Sequence, residues 1–316
     1  MSARQNTGSP EPEAPAAQDP ALQGVRPSLQ ALIALRGLAR LRGVARRGSA
    51  GVRQQAPAAQ RGHGMAYAES REYVAGDDAR HIDWRVTART GRAHTKTFQA
   101  ERERLSLIVA DTAPALYFGT RQRFKSVQAA RAGAIGAWAA IADGDRIAAL
   151  RGSASEPPIP PGNGPRGALR VLDALVRWYT APPADDLGLA VALDHARRLL
   201  RPGSRMLVLA DPRSVAAVPP ERWTALSAHS EVLVLLLVDP LEREPPRKRL
   251  AFLQGGARVE LDLAAASQRA RWREAFVDPL DAALAMLRTR GVRATALSTD
   301  AASEAWLPLF GRPKAA

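Results

Sequence analysis

From residue 104 onward, apolar runs alternate with stretches in which apolar residues recur at helical spacing. The runs at 105–110, 205–210 and 231–238 are almost unbroken, as in strands of a parallel sheet that is covered on both faces. Between them, segments 123–143, 167–179, 187–200 and 219–230 carry apolar residues at helical spacing. This alternation predicts an α/β fold, a doubly wound and mainly parallel sheet, over residues 104–316.

The remaining segments of this region complete the predicted sheet domain. A further strand is predicted at 145–150, a loop at 157–167 and a hairpin at 248–263 that turns at Gly255–Gly256. A long helical region follows, in which Asp278–Pro279 caps a second helix that ends near Gly291. A last strand at 292–298 and a short helix at 305–310 close the chain.

The N-terminal 60 residues divide into two predicted regions. Residues 1–25 are rich in Pro, Ala and Gln and are expected to be disordered. Residues 26–60 form a basic amphipathic helix and a linker, in which Gly37 and Gly43 each weaken a free helix by about 1 kcal/mol. Three interpretations remain open: a helix docked on its own domain, a surface for anionic lipid or an acidic partner through residues 26–50, and a nucleic-acid site. Nucleic acid is disfavoured, because no aromatic residue is interleaved for stacking.

Residues 61–103 are dense in arginines and carboxylates and read as short strands and turns, with a turn at 75–78. One interpretation is structural: arginine–carboxylate pairs that hold the segment in place, where removing one buried partner would cost about 3–5 kcal/mol. The other interpretation is a binding surface. The structural role is favoured, because no nucleophile and base are paired in the segment.

Charge and composition narrow the cellular setting. The formal net charge of +14 comes almost entirely from arginine, and no acidic residue lies between Arg26 and Arg61. The chain has no cysteine, which excludes disulfides and thiolate metal sites. The N-terminus lacks the apolar region of a signal peptide, and the longest aliphatic run, 232–238, is too short for a membrane helix. We expect a cytoplasmic protein, peripheral to the inner membrane if the basic helix binds lipid.

Motifs for common chemistries are weak or absent in the sequence. Residues Gly162–Gly167 match the dinucleotide-binding glycine pattern, but four prolines precede them, so a flexible loop is predicted. Neither a P-loop nor a hydrolase nucleophile elbow occurs. The five histidines show no metal-ligand spacing, and His81 is the one to test first because it lies in the charge-dense segment. No catalytic residue is predicted, and the chain is expected not to be an enzyme.

The charge-dense segment closely resembles the signature of the DUF58 family of bacterial proteins. The residues that carry the resemblance are Tyr73, Gly76, Asp77, Asp78, Arg80, Asp83, Trp84, Arg89, Glu101 and Arg102. The resemblance implies that these residues form a signature or interaction region. It also implies that a von Willebrand factor A-like domain follows them.

That resemblance directs attention to two aspartates that follow predicted strands, Asp111 and Asp211. It implies that their strands are neighbours, and that an Asp-x-Ser-x-Ser motif, a threonine and the second aspartate hold Mg²⁺. Here Ala113 and Ala115 stand in place of the serines and Ala184 in place of the threonine. Mg²⁺ needs near-octahedral oxygen ligation, so any site is degenerate even with help from Asp185 or Asp186. We expect no cofactor; the alternative role of Asp111 and Asp211 is to cap neighbouring helices.

Three functions follow from these expectations. The leading hypothesis is a non-enzymatic protein-interaction adaptor that works with a MoxR-type AAA+ ATPase, a partner that the resemblance implies, in assembly or maturation of other proteins. The alternative is a divalent-metal-dependent protein-binding module that uses Asp111 and Asp211. A hydrolase ranks lowest, because no catalytic set can be named.

Overall fold

The computed structural model describes residues 23–39, 65–74, 77–100, 104–254 and 257–310. The chain divides into two compact units, one of which is inserted in the sequence of the other. The sheet unit combines Met1–Arg42 with Leu105–Ala316, and the signature unit is Gly43–Arg104.

The N-terminal helix of the sheet unit, α1, spans Leu29–Ala34 and is capped by Ser28, whose hydroxyl accepts from the Ala31 amide. Leu32 and Leu35 are buried in the main core. The indole nitrogen of Trp138 donates to the carbonyl of Leu32 at 3.2 Å. For residues 23–39, the interpretation as a helix docked on its own domain is therefore confirmed. The rest of the predicted basic region, residues 40–60, and the predicted tail, residues 1–22, lie outside the described residues.

The signature unit contains an antiparallel strand pair and a short helix. Strand β1 spans Met65–Glu72, helix α2 spans Trp84–Thr90 and strand β2 spans His94–Ala100. The strands pair from Met65↔Ala100 to Glu72↔His94, with an irregularity between Tyr67 and Glu69. The expected strands are confirmed. Helix α2 is a correction, since that stretch was predicted as strands and turns.

The sheet unit is built on a six-stranded sheet with strand order β10-β7-β6-β3-β4-β5. The strands of this unit are β3 (Leu105–Ala110), β4 (Arg146–Arg151), β5 (Ile159–Gly162), β6 (Arg205–Ala210), β7 (Glu231–Val238), β8 (Arg249–Gln254), β9 (Ala257–Asp262) and β10 (Arg293–Ser298). Neighbours from β10 to β4 are parallel, and β5 joins the edge antiparallel. Strands β8 and β9 form the predicted hairpin.

Helices cover both faces of this sheet. They are α3 (Lys125–Ala142), α4 (Gly164–Thr180), α5 (Gly188–Leu199), α6 (Pro212–Ala216), α7 (Pro220–Ser227), α8 (Pro240–Arg243), α9 (Ala266–Trp272) and α10 (Asp278–Thr289). Apolar residues of α3 and α4 form one core with the sheet, and those of α5, α7 and α10 form the other. The predicted α/β fold with a mainly parallel sheet is confirmed. None of the described helices is long and apolar enough to cross a membrane.

The glycine-rich run 162–167 differs from its prediction as a flexible loop. It joins the short strand β5 to the first turn of α4, and Gly164 has a φ of +59°, which favours glycine. A Cβ on Gly167 would lie 2.5 Å from the carbonyl oxygen of Gly162, so close backbone contact explains this glycine. The run serves packing at an antiparallel edge and lacks the βαβ context of a dinucleotide site.

Candidate functional site

The carboxyl ends of β3 and β6 bring two predicted site residues together. These strands pair in parallel, as the resemblance implied, and Asp111 and Asp211 follow directly after them. The backbone amide of Asp211 donates to Oδ2 of Asp111 at 3.0 Å. Both side chains therefore lie at the sheet edge where ligands bind in open α/β folds.

The carboxylate of Asp111 is used internally. The residue is 1% exposed, and its Oδ1 accepts from the amide of Ala113 at 3.0 Å. Burial raises the pKa of Asp111 to about 6, against the lowering effect of hydrogen bonds from the Ser214 side chain and the two amides. Asp111 thus accepts from two backbone amides, but it does not cap the helix that follows, since the N-cap of the 3-10 helix Pro114–Leu116 is Ala113 and makes no side-chain hydrogen bond.

The carboxylate of Asp211 is held from two sides. Its Oδ1 accepts from the amide of Arg213 at 2.9 Å and caps α6, as the capping interpretation predicted. Its Oδ2 accepts from Nζ of Lys125 at 2.8 Å, and the same ammonium donates to Oε1 of Glu242 at 2.7 Å. The second carboxylate oxygen of Glu242 accepts from the amide of Asp239 at 2.9 Å. We call Asp111, Lys125, Asp211, Asp239 and Glu242 the edge network. Sequence reasoning identified only Asp111 and Asp211, although Asp239 also directly follows a strand, β7.

Asp185 and Asp186, which were considered as additional metal ligands, make different contacts. Oδ1 of Asp186 accepts from the hydroxyl of Thr112 at 2.9 Å, which brings this residue to the loop after β3. Asp185 instead accepts from the hydroxyls of Ser153 and Ser155 and from Arg151. Those hydroxyl hydrogen bonds, and then Arg151, hold the pKa of Asp185 below its ordinary value. Ala184, expected where a threonine would bind metal, is exposed.

These residues do not fit a bound Mg²⁺. Both Asp111 and Asp211 use their carboxylate oxygens for backbone amides or for the Lys125 ammonium. An octahedral Mg²⁺ would have to displace these donors, and it gives up its own waters reluctantly. In the described part of the chain, no three His, Cys, Asp or Glu side chains are grouped to hold a metal.

Two tyrosines lie near the edge network. Tyr117 donates its hydroxyl to the carbonyl of Trp178 at 2.6 Å. Burial, followed by the nearby charges of Asp186 and Asp111, raises the pKa of Tyr117, so the phenol stays protonated. The hydroxyl of Tyr179 is buried and has no hydrogen-bond partner among the described residues. The carboxylates are engaged in hydrogen bonds, and burial raises the pKa of both phenols. We identify no nucleophile–base pair among these residues.

The ionisation of Asp111 should make the free energy of unfolding depend on pH. Because its folded pKa of about 6 exceeds the ordinary 3.8, the stability it contributes is fully present below 3.8 and is lost as the pH rises through about 6. The free energy of unfolding of wild type minus that of Asp111→Asn should therefore fall across this window and then level off. Urea denaturation at a series of pH values measures it, and a difference that stays constant with pH would contradict the assignment.

In the signature unit, Asp83 organises the local fold. It is 8% exposed and is the N-cap of α2, where its Oδ1 accepts from the amide of Val86 at 3.3 Å. Its Oδ2 accepts from the hydroxyl of Ser70 on β1 at 2.8 Å. Gly91 ends the helix with a φ of +71°. One carboxylate thus joins α2 to the strand pair.

The other acidic signature residues act as turn acceptors. Asp77 accepts from the amide of Val74 at 3.0 Å, and Asp78 accepts from the amide of Arg80 at 3.0 Å. The hydroxyl of Tyr73 donates to the carbonyl of Asp77 at 3.2 Å. His81 lies half-buried in a short 3-10 helix, and its carbonyl accepts from the Thr95 hydroxyl. The signature residues Gly76, Glu101 and Arg102 lie outside the described residues.

The remaining signature residues, Arg80, Trp84 and Arg89, face solvent, as does the neighbouring Arg85. Trp84, at the start of α2, is 70% exposed. Arg80, Arg85 and Arg89 are exposed, and no ion pair links them to a carboxylate in the described part of the chain. Residues 84, 85, 88 and 89 share one side of α2, because positions four apart lie one turn apart. We call Trp84, Arg85, Ala88 and Arg89 the α2 surface.

Comparison with known proteins gives a family but no activity. Residues 69–281 match the family described as "Protein of unknown function DUF58". Uncharacterized proteins of Mycobacterium tuberculosis and Mycobacterium bovis are each 32% identical over 190 residues. The match covers 58% of this chain and 58% of each relative, so the chain spans just over half the length of these curated relatives.

Proposed function

This chain belongs to the DUF58 family, and we propose that it is a non-enzymatic protein-interaction adaptor that works with a MoxR-type AAA+ ATPase in assembly or maturation of other proteins. We assign the sheet unit to the von Willebrand factor A-like fold. The parallel order from β10 to β4, with aspartates after the adjacent strands β3 and β6, supports that assignment. We place the protein in the cytoplasm.

The observation that carries the proposal is the α2 surface. Trp84 is 70% exposed, and tryptophan is enriched in protein interfaces relative to the rest of the protein surface. Tryptophan and arginine are also the residue types that most often dominate binding energy in protein interfaces. The α2 surface presents one tryptophan and two arginines on two turns of helix.

The charge of this surface defines the partner. Arg85 and Arg89, with Arg80 just before the helix, present positive charge that no described carboxylate neutralises. The occupant is therefore an acidic protein segment that carries an apolar side chain for Trp84. Complementary charge speeds encounter and selects the partner, and the apolar contact supplies affinity.

The local fold prepares this surface for binding. Asp83 caps the start of α2 and Gly91 ends it, so the helix is fixed at both ends. A surface that is ordered beforehand loses less entropy on association. The buried and turn-forming signature residues therefore hold the exposed ones in position. In this proposal the segment has both of the roles considered for it, a structural one and a binding one.

Binding to a MoxR-type AAA+ ATPase from the same host tests the proposal. Trp84→Ala should weaken the affinity, measured by biolayer interferometry, by about tenfold or more, the range of an interface hot spot. Arg85→Glu with Arg89→Glu should weaken it further and reduce its salt dependence.

Arg198→Glu is the matched control, because this exposed arginine lies on α5 of the sheet unit. It should leave the affinity unchanged. Equal affinity for Trp84→Ala and wild type, or no binding to the ATPase at all, would contradict the adaptor. If the α2 surface variants lost binding to anionic vesicles and kept their affinity for the ATPase, the α2 surface would instead be a membrane-binding site.

A further inference from the structure

Lys125 is a buried cation that the proposed function does not use. It is the first residue of α3, and its side chain is 1% exposed. Its Nζ lies 2.8 Å from Oδ2 of Asp211 and 2.7 Å from Oε1 of Glu242. Burial acts to lower the pKa of Lys125, but the two carboxylates outweigh it and the pKa is raised, so the ammonium stays charged.

The position of Lys125 within α3 is unfavourable on its own. The N-terminus of a helix carries partial positive charge, so a lysine there is repelled. Phe124 at the N-cap makes no side-chain hydrogen bond that would offset this. Since both burial and the helix terminus oppose a cation here, the contacts with Asp211 and Glu242 must provide the compensation.

The ammonium joins three elements that are distant in sequence. Lys125 is separated by 86 residues from Asp211, at the start of α6, and by 117 residues from Glu242, on α8. Through Asp211 it reaches Asp111, and through Glu242 it reaches Asp239. A positive charge at this point therefore holds together the carboxyl ends of β3, β6 and β7.

We propose that the Lys125 ammonium is the permanent internal cation of this sheet edge, and that it does for Asp211 and Glu242 what a divalent ion would otherwise do. A covalently attached cation does not exchange with solvent. The sheet unit is therefore independent of divalent ions, and chelators do not affect its stability or its contacts. The inference goes beyond the adaptor function and does not depend on the α2 surface.

Replacing Lys125 with Met tests this, because the variant keeps an unbranched side chain but leaves Asp211 and Glu242 without their cation. We expect the Tm to fall by about 10 °C in EDTA. Adding Mn²⁺ should recover part of that loss, and electron paramagnetic resonance should detect bound Mn²⁺ in the variant. Wild type should show neither a Tm shift nor bound Mn²⁺.

Lys248→Met is the matched control, since Lys248 is exposed, and its Tm should match wild type in EDTA and in Mn²⁺. If Lys125→Met does not fold, Glu242→Gln, which leaves Lys125 one carboxylate, provides the second variant and should lower the Tm without any response to Mn²⁺. Three results would overturn the proposal. They are binding of Mn²⁺ by wild type, a fall in Tm for Lys125→Met no larger than that for Lys248→Met, and a folded Lys125→Met whose Tm does not change when Mn²⁺ is added.

Discussion

Replacing Asp239 with Ala should lower the free energy of unfolding of the sheet unit by about 3–5 kcal/mol. Asp239 is fully buried, and its carboxylate accepts from the amide and hydroxyl of Thr120 at 2.9 and 2.5 Å. It also accepts from the hydroxyl of Thr299 at 2.7 Å and from the amide of Leu241 at 2.9 Å. Alanine would leave these four donors without their acceptor. Hydrogen bonds to a charged group contribute about 1.5–3 kcal/mol each, most for the buried Thr299 hydroxyl and least for Thr120, which is exposed.

Urea denaturation measures this loss, and Asp262→Ala is its matched control. The described side-chain contact of Asp262 is a single exposed hydrogen bond from the amide of Ala264 at 3.0 Å. The control should therefore lose only about 1 kcal/mol, the usual net contribution of one hydrogen bond. Similar losses in the two variants would show that Asp239 does not hold the loop at Thr120 to the ends of β7 and β10.

Asp83→Ala should destabilise the signature unit by about 2–4 kcal/mol, through a lost cap and a lost hydrogen bond to a charged group. The residue is nearly buried, and its two carboxylate oxygens serve α2 and β1. Because parts of a protein can open separately, amide hydrogen exchange over residues 65–100 is the appropriate measurement. We expect faster exchange there and unchanged exchange in the sheet unit.

Asp78→Ala provides the comparison for Asp83→Ala. Asp78 is exposed, and its carboxylate accepts only a local amide, that of Arg80, among the described contacts. Its exchange should resemble that of wild type. If Asp83→Ala exchanged no faster than Asp78→Ala, Asp83 would not be the residue that organises the signature unit.

The sheet could be predicted because its strands are covered on both faces. Strands β3, β6 and β7 are nearly continuous apolar runs, and they carry that signal without any tertiary information. Strand β5 could not be predicted, because Pro160 and Pro161 disfavour a strand. It exists because it lies at an edge, paired to β4 at Gly162 and Ile159.

Helix α2 was missed because its own residues favour helix weakly. Its sequence, WRVTART, contains two threonines and a valine, and a seven-residue helix is marginal by itself. The capping residues Asp83 and Gly91 and the hydroxyl of Ser70 stabilise it in the folded chain. An aspartate followed eight residues later by glycine was the available signal.

Two members of the edge network were predicted, both of them aspartates that follow strands, whereas Asp239, which follows β7, was not. Asp111 and Asp211 could be identified because each ends an apolar run, and parallel strands end at the same edge of a sheet. Lys125 and Glu242 come from a helix start and a four-residue helix, and no local pattern connects them. A lysine at the unfavourable end of a long helix was the one sequence feature that indicated a buried partner.

The docking of α1 on Trp138 has a consequence for folding during translation. Leu32 leaves the ribosome 106 residues before Trp138, whose indole binds its carbonyl. The signature unit, Gly43–Arg104, is made in the interval, before any strand of the main sheet exists. Helix α1 is therefore synthesised well before α3, which carries Trp138. Docking of α1 closes a long loop, and contacts between residues far apart in sequence form slowly.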